Sequence, residues 1–317
     1  MSNFGTKLSR YRDYNSYLKE IFGERVQKLS LDAGLGCPNR DGTISMGGCI
    51  YCDSRGSGTG ALIEHHIPLE EQIISGIEAA KKRYKAKKYI AYFQSFTNTY
   101  APVSKLKELY DKVLLYPDIV GLSVGTRPDC VSSQVLQLLD SYTSRYLVWI
   151  EYGLQSAHDS TLRFINRGHD VACFVDAIKR TARYGIKICV HVILGLPGES
   201  REMMMETARF ISSLPIHGVK IHLLYVVKGT KMEEMVSNGQ YRCLDRDEYI
   251  ELVVDFLEQL PPQVVIQRLT GDPPRSSELV APKWALEKSK LLGLIKKRLE
   301  ERDTWQGRHF RGSMFSG

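Results

Sequence analysis

The chain reads as an α/β protein, a partial (βα)6 barrel of the TIM type with a short N-terminal and a longer C-terminal extension. Three observations carry this reading. Six short apolar runs rich in β-branched and aromatic residues recur over residues 25–230, stretches of helical periodicity separate them, and a glycine-rich cysteine loop follows the first run. Continuous apolar runs of this length suit parallel strands buried on both faces. Strands alternating with helices then curl into a barrel.

Taken in order, residues 1–24 carry a short amphipathic helix, Tyr14–Phe22. Strands are expected at Val26–Leu31, 89–94, 119–124, 146–153, 186–194 and 219–227. Helices are expected at 69–87, 104–115, 132–144, 171–184 and 202–213, where apolar residues such as Ile73, Ile74 and Ile77 recur at helical spacing. Six units leave the barrel incomplete, with a gap that admits a large substrate. Residues 231–317 form the second extension: a helix at 245–260, a strand-like VVIQRL at 264–269, a loop GDPPRSS and a long helix at 282–302. These are expected to close the barrel mouth or hold the substrate.

At 317 residues, 43% of them hydrophobic, the chain can bury one large core, and a second domain is not required. Seven cysteines, an odd number without a small secreted framework, point to a reducing compartment. No signal-type stretch opens the chain and no apolar run approaches the roughly 20 residues of a membrane span, so a cytoplasmic location is expected. The net charge of +7 is concentrated in two runs. One holds Lys81, Lys82, Arg83, Lys85, Lys87 and Lys88; the other spans Lys283 to Arg311. Such runs neutralise phosphates. Solvated helix surfaces, offset in the second run by Glu287, Glu300 and Glu301, are the alternative.

Cys37, Cys49 and Cys52 are spaced C-x11-C-x2-C at the C-terminal end of the first strand, the rim where a βα barrel gathers its reactive groups. Three thiolates can hold three irons of a 4Fe-4S cluster and leave the fourth open to a small molecule. With His65 or His66 they could instead form a structural zinc site, and a lone CxxC can be a redox pair.

Further motifs follow in order: CPNRDGTISMGGCIYC, YFQSFTNTYAP, GTRPDC, EYGLQS, INRGHD and HVILGLPGE. Together they resemble the radical S-adenosylmethionine (radical SAM) enzymes, in the branch that includes the Elongator catalytic subunit and oxygen-independent coproporphyrinogen oxidase. Including the tail RLTGDPPRSSELVAPKW, the whole chain is similar to the bacterial YtqA/YhcC-type family.

That resemblance implies a 4Fe-4S cluster on Cys37, Cys49 and Cys52, S-adenosylmethionine on the open iron, and reductive cleavage to a 5′-deoxyadenosyl radical. It assigns the methionine carboxylate to Arg167, whose planar fork suits a carboxylate; pairing with Asp170 is the plain reading. Gln155 and His191 match the ribose positions, although a core histidine would look the same. Tyr51 is placed beside adenine, or beneath the cluster loop as packing. The GLPGE turn, with Leu196, runs past adenine or is simply a strand-to-helix turn. The usual glycine-rich turn for the amino group is replaced by Gln94, Ser95, Phe96 and Thr97, so the Ser95 backbone or the Thr97 hydroxyl is expected there. Gly125 stands where relatives often carry glutamate. Cys130 follows GTRPD at a strand end, where its thiol could reach substrate.

The resemblance further implies tRNA as partner, a flavodoxin- or ferredoxin-type electron donor, and an altered C5 side chain on the wobble uridine, for example carboxymethylaminomethyl to aminomethyl. Candidate substrate contacts are Lys228, Arg268, Asp272, Arg275, Lys283 and Trp284; the tryptophan could stack on an extruded base or anchor the last helix. A small-molecule substrate such as a porphyrinogen, and a non-enzymatic zinc or RNA-binding module, are the alternatives.

Overall fold

The computed structural model describes residues 9–54, 56 and 67–312. Its strands are β1 (Val26–Leu31), β2 (Lys88–Phe93), β3 (Ile119–Thr126), β4 (Leu147–Gln155), β5 (Lys187–Leu194), β6 (Gly218–Leu223), β7 (Val226–Val227), β8 (Val265–Arg268) and β9 (Leu279–Ala281). The helices are α1 (Tyr14–Phe22), α2 (Leu69–Tyr84), α3 (Val103–Leu114), α4 (Ser133–Ser141), α5 (Asp159–Phe164), α6 (Val171–Thr181), α7 (Arg201–Ser212), α8 (Lys231–Ser237), α9 (Arg246–Gln259) and α10 (Lys288–Glu301).

One sheet runs β1-β2-β3-β4-β5-β6-β8, every neighbouring pair parallel. The six expected strands are present, and VVIQRL adds a seventh beside β6, where Val265 pairs with Gly218. Residues 219–227 do not stay in one strand. The chain leaves the sheet after Leu223, and Val226–Val227 pairs antiparallel with β9 from the C-terminal region. The expected last helix is also divided: Glu287 (φ −88°, ψ 45°) separates a 3-10 turn, Lys283–Leu286, from α10.

Strand residues on one face pack with the helices. Phe93, Val124, Ile150, Tyr152, Val190 and Ile221 join Ile73, Leu106, Leu139, Phe174 and Ile211 in the main core, each burial stabilising the fold by about 1.5–3 kcal/mol. Inside the curl, α1 closes the end of the barrel where the strands begin. Tyr14 and Leu18 pack with Val26, Trp149 and Val265, and the Tyr14 ring meets Trp149 edge-on at 6.0 Å. Asp13 fixes the start of this helix by accepting from Ser16 N at 3.0 Å, and Gly23 (φ 73°) stops it. With one end closed, the interior opens at the C-terminal ends of the strands.

Candidate functional site

The cysteine loop begins where β1 ends. Gln72 anchors it by accepting from Asp32 N at 2.8 Å and donating to Asp32 O at 3.1 Å. Gly42, Gly47 and Gly48 have φ of +91°, +81° and +82°, a region that L side chains avoid, so the tight return to Cys49 depends on glycine. Three N–H groups approach the sulfurs: Asn39 Nδ2 and Arg167 Nη1 each lie 3.7 Å from Cys49 Sγ, and Arg40 Nη1 lies 3.4 Å from Cys52 Sγ. Two of these donors are guanidinium groups and the third is a neutral amide.

A cavity of about 350 Å³ spans the barrel mouth. It brings together Cys37, Cys49, Cys52, Tyr51, Thr97, Gln155, Arg167 and His191, with Arg268, Asp272 and Arg275 from the C-terminal region. Other expected residues lie elsewhere. Ser95 is buried outside the lining, where Gln94 and Phe96 stand instead. Leu196 is buried with Ile50, Leu162 and Ile193. Lys228 pairs by its backbone with Glu278 O at 2.9 Å, and the Lys283 ammonium bonds Leu279 O. Trp284 donates from Nε1 to Leu244 O at 3.3 Å and packs 5.9 Å from the Tyr249 ring, which is the geometry of an anchor. Cys130 also lies outside the lining, its thiol 3.7 Å from Asp129 and pushed up to about 12 by burial and then by that carboxylate. His65 and His66 fall outside the described residues.

Arg167 is 7% exposed. Its Nε and Nη2 donate to Gly153 O at 3.2 and 2.7 Å, so it is not the Asp170 partner that the plain reading suggests; Asp170 caps α6 by accepting from Cys173 N. Burial works against its charge, but the neighbouring Cys49 sulfur more than offsets this and its pKa is raised. Opposite it, β4 shifts register between Gly153 and Gln155, and Gln155 adopts φ 77°. A bulge of this sort re-aims a side chain, here at the cavity. Phe96 (φ 59°) and Asn166 (φ 52°) are likewise left-handed, which concentrates backbone strain around the site.

Beneath the cavity lies a polar plug. Glu151 on β4 is fully buried and accepts from Lys28 Nζ at 2.6 Å, from His191 Nε2 at 2.7 Å, and from Lys220 and Ser123. Tyr92 lies 4.0 Å under the Lys220 ammonium, and Gln267 Oε1 accepts from Lys28 at 2.8 Å. Every strand of the main sheet contributes a group. Burial would raise the Glu151 carboxyl, but Lys220 and Lys28 hold it well below 4.5. Burial lowers His191 to about 4 despite Glu151, and Lys220 to about 7. His191 is therefore neutral near pH 7. The ligand atoms of Glu151, Cys189 and His191 lie within 4.8 Å of one another, yet two ammonium groups at the same carboxylate oppose a metal cation there.

Several residues of the cavity and of the network beneath it were missed in the sequence. Glu151, Lys28 and Lys220 each stand alone as charges in strands otherwise read as buried, a signal of an interior network. Arg127 is 2% exposed and lines the cavity, with Nε and Nη2 on Asp129 at 2.9 and 2.7 Å and Nη1 without a hydrogen-bond partner.

Of the basic runs, Lys288 reaches the cavity rim through Asp272, whereas the cations of α2 and Lys290, Lys297 and Arg302 lie away from this chemistry. Lys81, Lys82 and Arg83 occupy the last turn of α2, which suits the helix dipole and leads to the end of β2 remote from the cavity. On α10 and at its C-terminal cap the cations are engaged: Lys290 with Glu287 at 2.9 Å, Lys297 with Glu301 at 3.3 Å, and the cap Arg302 with Glu251, Asp255 and Glu258 at 2.8–3.2 Å.

A sequence profile of the Radical SAM superfamily matches residues 34–211, and one of the Radical SAM C-terminal domain matches residues 216–301. The chain belongs to the radical SAM superfamily. This radical SAM enzyme is 42% identical over 307 residues to the uncharacterized protein YtqA of Bacillus subtilis, covering 95% of this chain and 93% of that one. It is 31% identical over 159 residues to a tRNA uridine(34) acetyltransferase of Dehalococcoides mccartyi, covering 49% of this chain and 34% of that one. In fold it resembles the Elp3 of Methanocaldococcus infernus, with a TM-score of 0.65, 19% identity, and coverage of 89% of this chain and 64% of that one. Radical SAM enzymes use a 4Fe-4S cluster and S-adenosylmethionine. No helix among the described residues is long and apolar enough to cross a membrane.

Proposed function

We propose that Cys37, Cys49 and Cys52 hold the cluster, that Arg167, Gln155 and His191 bind S-adenosylmethionine, and that the enzyme alters the C5 side chain of a tRNA wobble uridine. The observation that carries the site assignment is the meeting of these six residues, from four separate motifs, in one cavity. The donor set fits the cluster. Three thiols on one loop, with the Arg40 and Arg167 guanidinium groups beside Cys52 and Cys49, are the donors that such a cluster takes. When bound, cluster and S-adenosylmethionine supply an electron and a 5′-deoxyadenosyl radical able to take hydrogen from a C–H bond.

The chain's own residues orient and shield. Arg167 presents a buried cation beside Cys49, where a carboxylate is recognised. Glu151 accepts a hydrogen bond from the Nε2–H of neutral His191, which leaves Nδ1 as an acceptor for a hydroxyl. The tRNA assignment draws on the likeness to the uridine(34) acetyltransferase across 49% of this chain. A small-molecule substrate is the second reading, favoured by the carboxylate-engaged cations of α10.

Mass spectrometry of tRNA nucleosides from cells lacking the protein tests the substrate. Loss or accumulation of a wobble-uridine derivative supports tRNA, and an unchanged profile favours the small molecule. Binding to tRNA must also weaken steeply as salt rises if phosphates are contacted.

A further inference from the structure

We propose that the β6–β8 side of the cavity, where His222 and Arg268 stand over Lys28 and Lys220, is a subsite for an oxyanion of the substrate, a carboxylate or a phosphate. The proposal rests on the reading that a substrate enters this cavity beside S-adenosylmethionine.

The argument is one of unbalanced charge. Lys28 and Lys220 share a single carboxylate, Glu151. His191 and His222 add no counter-charge: burial lowers both, with neighbouring cations adding to the effect, so each ring is neutral. The Cys189 thiol is pushed up by burial and is neutral too. Arg268 contributes a third cation, and its partner Asp272, 2.9 Å away, is shared with Lys288. Lys28, Arg268 and Lys288, together with Lys220, which burial lowers to about 7, thus meet two carboxylates; Lys220 and Lys28 are only 3% and 15% exposed, Arg268 and Lys288 27% and 30%. Low-dielectric surroundings make such an excess costly without a further anion.

Geometry gives the anion a place. His222 lines the cavity with its ring 5.2 Å from that of His191, and its Nε2 is buried without a hydrogen-bond partner. A neutral imidazole can turn an N–H toward an oxyanion from that position. Arg268 lines the same side and supplies a guanidinium. The expected methionine carboxylate partner, Arg167, stands beside Cys49 instead, so cofactor and substrate anions have separate cations.

The test uses full-length, cluster-reconstituted protein kept anaerobic and saturated with S-adenosylmethionine. Calorimetry compares uridine, 5-carboxymethyluridine and uridine 5′-monophosphate, while acetate and inorganic phosphate are tested by thermal shift. We expect one charged nucleoside to bind about tenfold or more tighter than uridine. A gain for 5-carboxymethyluridine assigns the subsite to a side-chain carboxylate, and a gain for the monophosphate assigns it to the backbone. Arg268→Gln should abolish the gain and Arg268→Lys should keep part of it, with circular dichroism verifying that both variants fold. Equal affinity for all three nucleosides overturns the subsite and leaves the uridine reading standing. Stabilisation by acetate or phosphate, lost in Arg268→Gln, with no nucleoside bound, keeps the subsite and removes the uridine reading. Absence of both effects removes both.

Discussion

The carbonyl of Gly153 holds the guanidinium of Arg167, 2.7 Å from Nη2, and thereby leaves Nη1 aimed at the sulfur of Cys49. A β-carbon on Gly153 would lie 2.7 Å from Arg167 Nη2 and 2.6 Å from Gln155 Nε2. Gly153→Ala therefore pushes away two proposed S-adenosylmethionine contacts while meeting only the ends of side chains. We expect the melting temperature to move by a few degrees and affinity for S-adenosylmethionine to fall about tenfold or more, measured by equilibrium dialysis. Unchanged affinity would remove Arg167 and Gln155 from the cofactor site.

Alanine at Cys37, Cys49 or Cys52 should abolish cluster binding, read as loss of stoichiometric iron and sulfide. Formation of 5′-deoxyadenosine under dithionite should drop at least a hundredfold, on the order of what loss of an essential group costs. Stoichiometric zinc without sulfide in the wild-type protein would favour the zinc-module alternative instead.

Glu151 is the only carboxylate in direct contact with both Lys28 and Lys220 among the described interactions. Glu151→Gln strands two buried ammonium groups, at a cost of about 3–5 kcal/mol, or roughly 6–15 °C in melting temperature. The double variant Glu151→Gln, Lys220→Met should recover part of that loss, because it removes one of the stranded charges. A double variant less stable than the single one would contradict this account.

Acid should weaken the fold before ordinary carboxylates titrate. Burial lowers His191 and His217 to about 4 each, with Lys220 and Lys187 adding to the shifts. Their folded values lie below the unfolded value near 6.5, so the unfolded chain takes up protons first and stability declines as pH falls from about 6.5 to 4. Glu151 behaves differently: its stabilisation is present above the unfolded carboxyl value near 4.5 and is lost only as pH falls through its lower folded one. Urea denaturation at pH 7, 5.5 and 4.5 measures the slope, and His217→Gln should flatten it. Equal stability at pH 7 and 5 would show that these histidines are not held neutral.

Sequence by itself determined the local order of this protein. Apolar runs placed β1 to β5 within about two residues and the start of β6 within one, because parallel strands covered on both faces are rich in apolar side chains. Glycine spacing between Cys37 and Cys49 marked a tight loop, because few other residues adopt positive φ there. The tertiary structure alone decided what meets what. VVIQRL became the seventh strand, Trp284 turned to Tyr249, and the α10 cations met carboxylates of α9, since each outcome depends on contacts between distant segments. Lys28, Glu151 and Lys220 look like isolated charges in three separate strands; only the curl of the sheet, which points all three into one interior, makes them a single buried network.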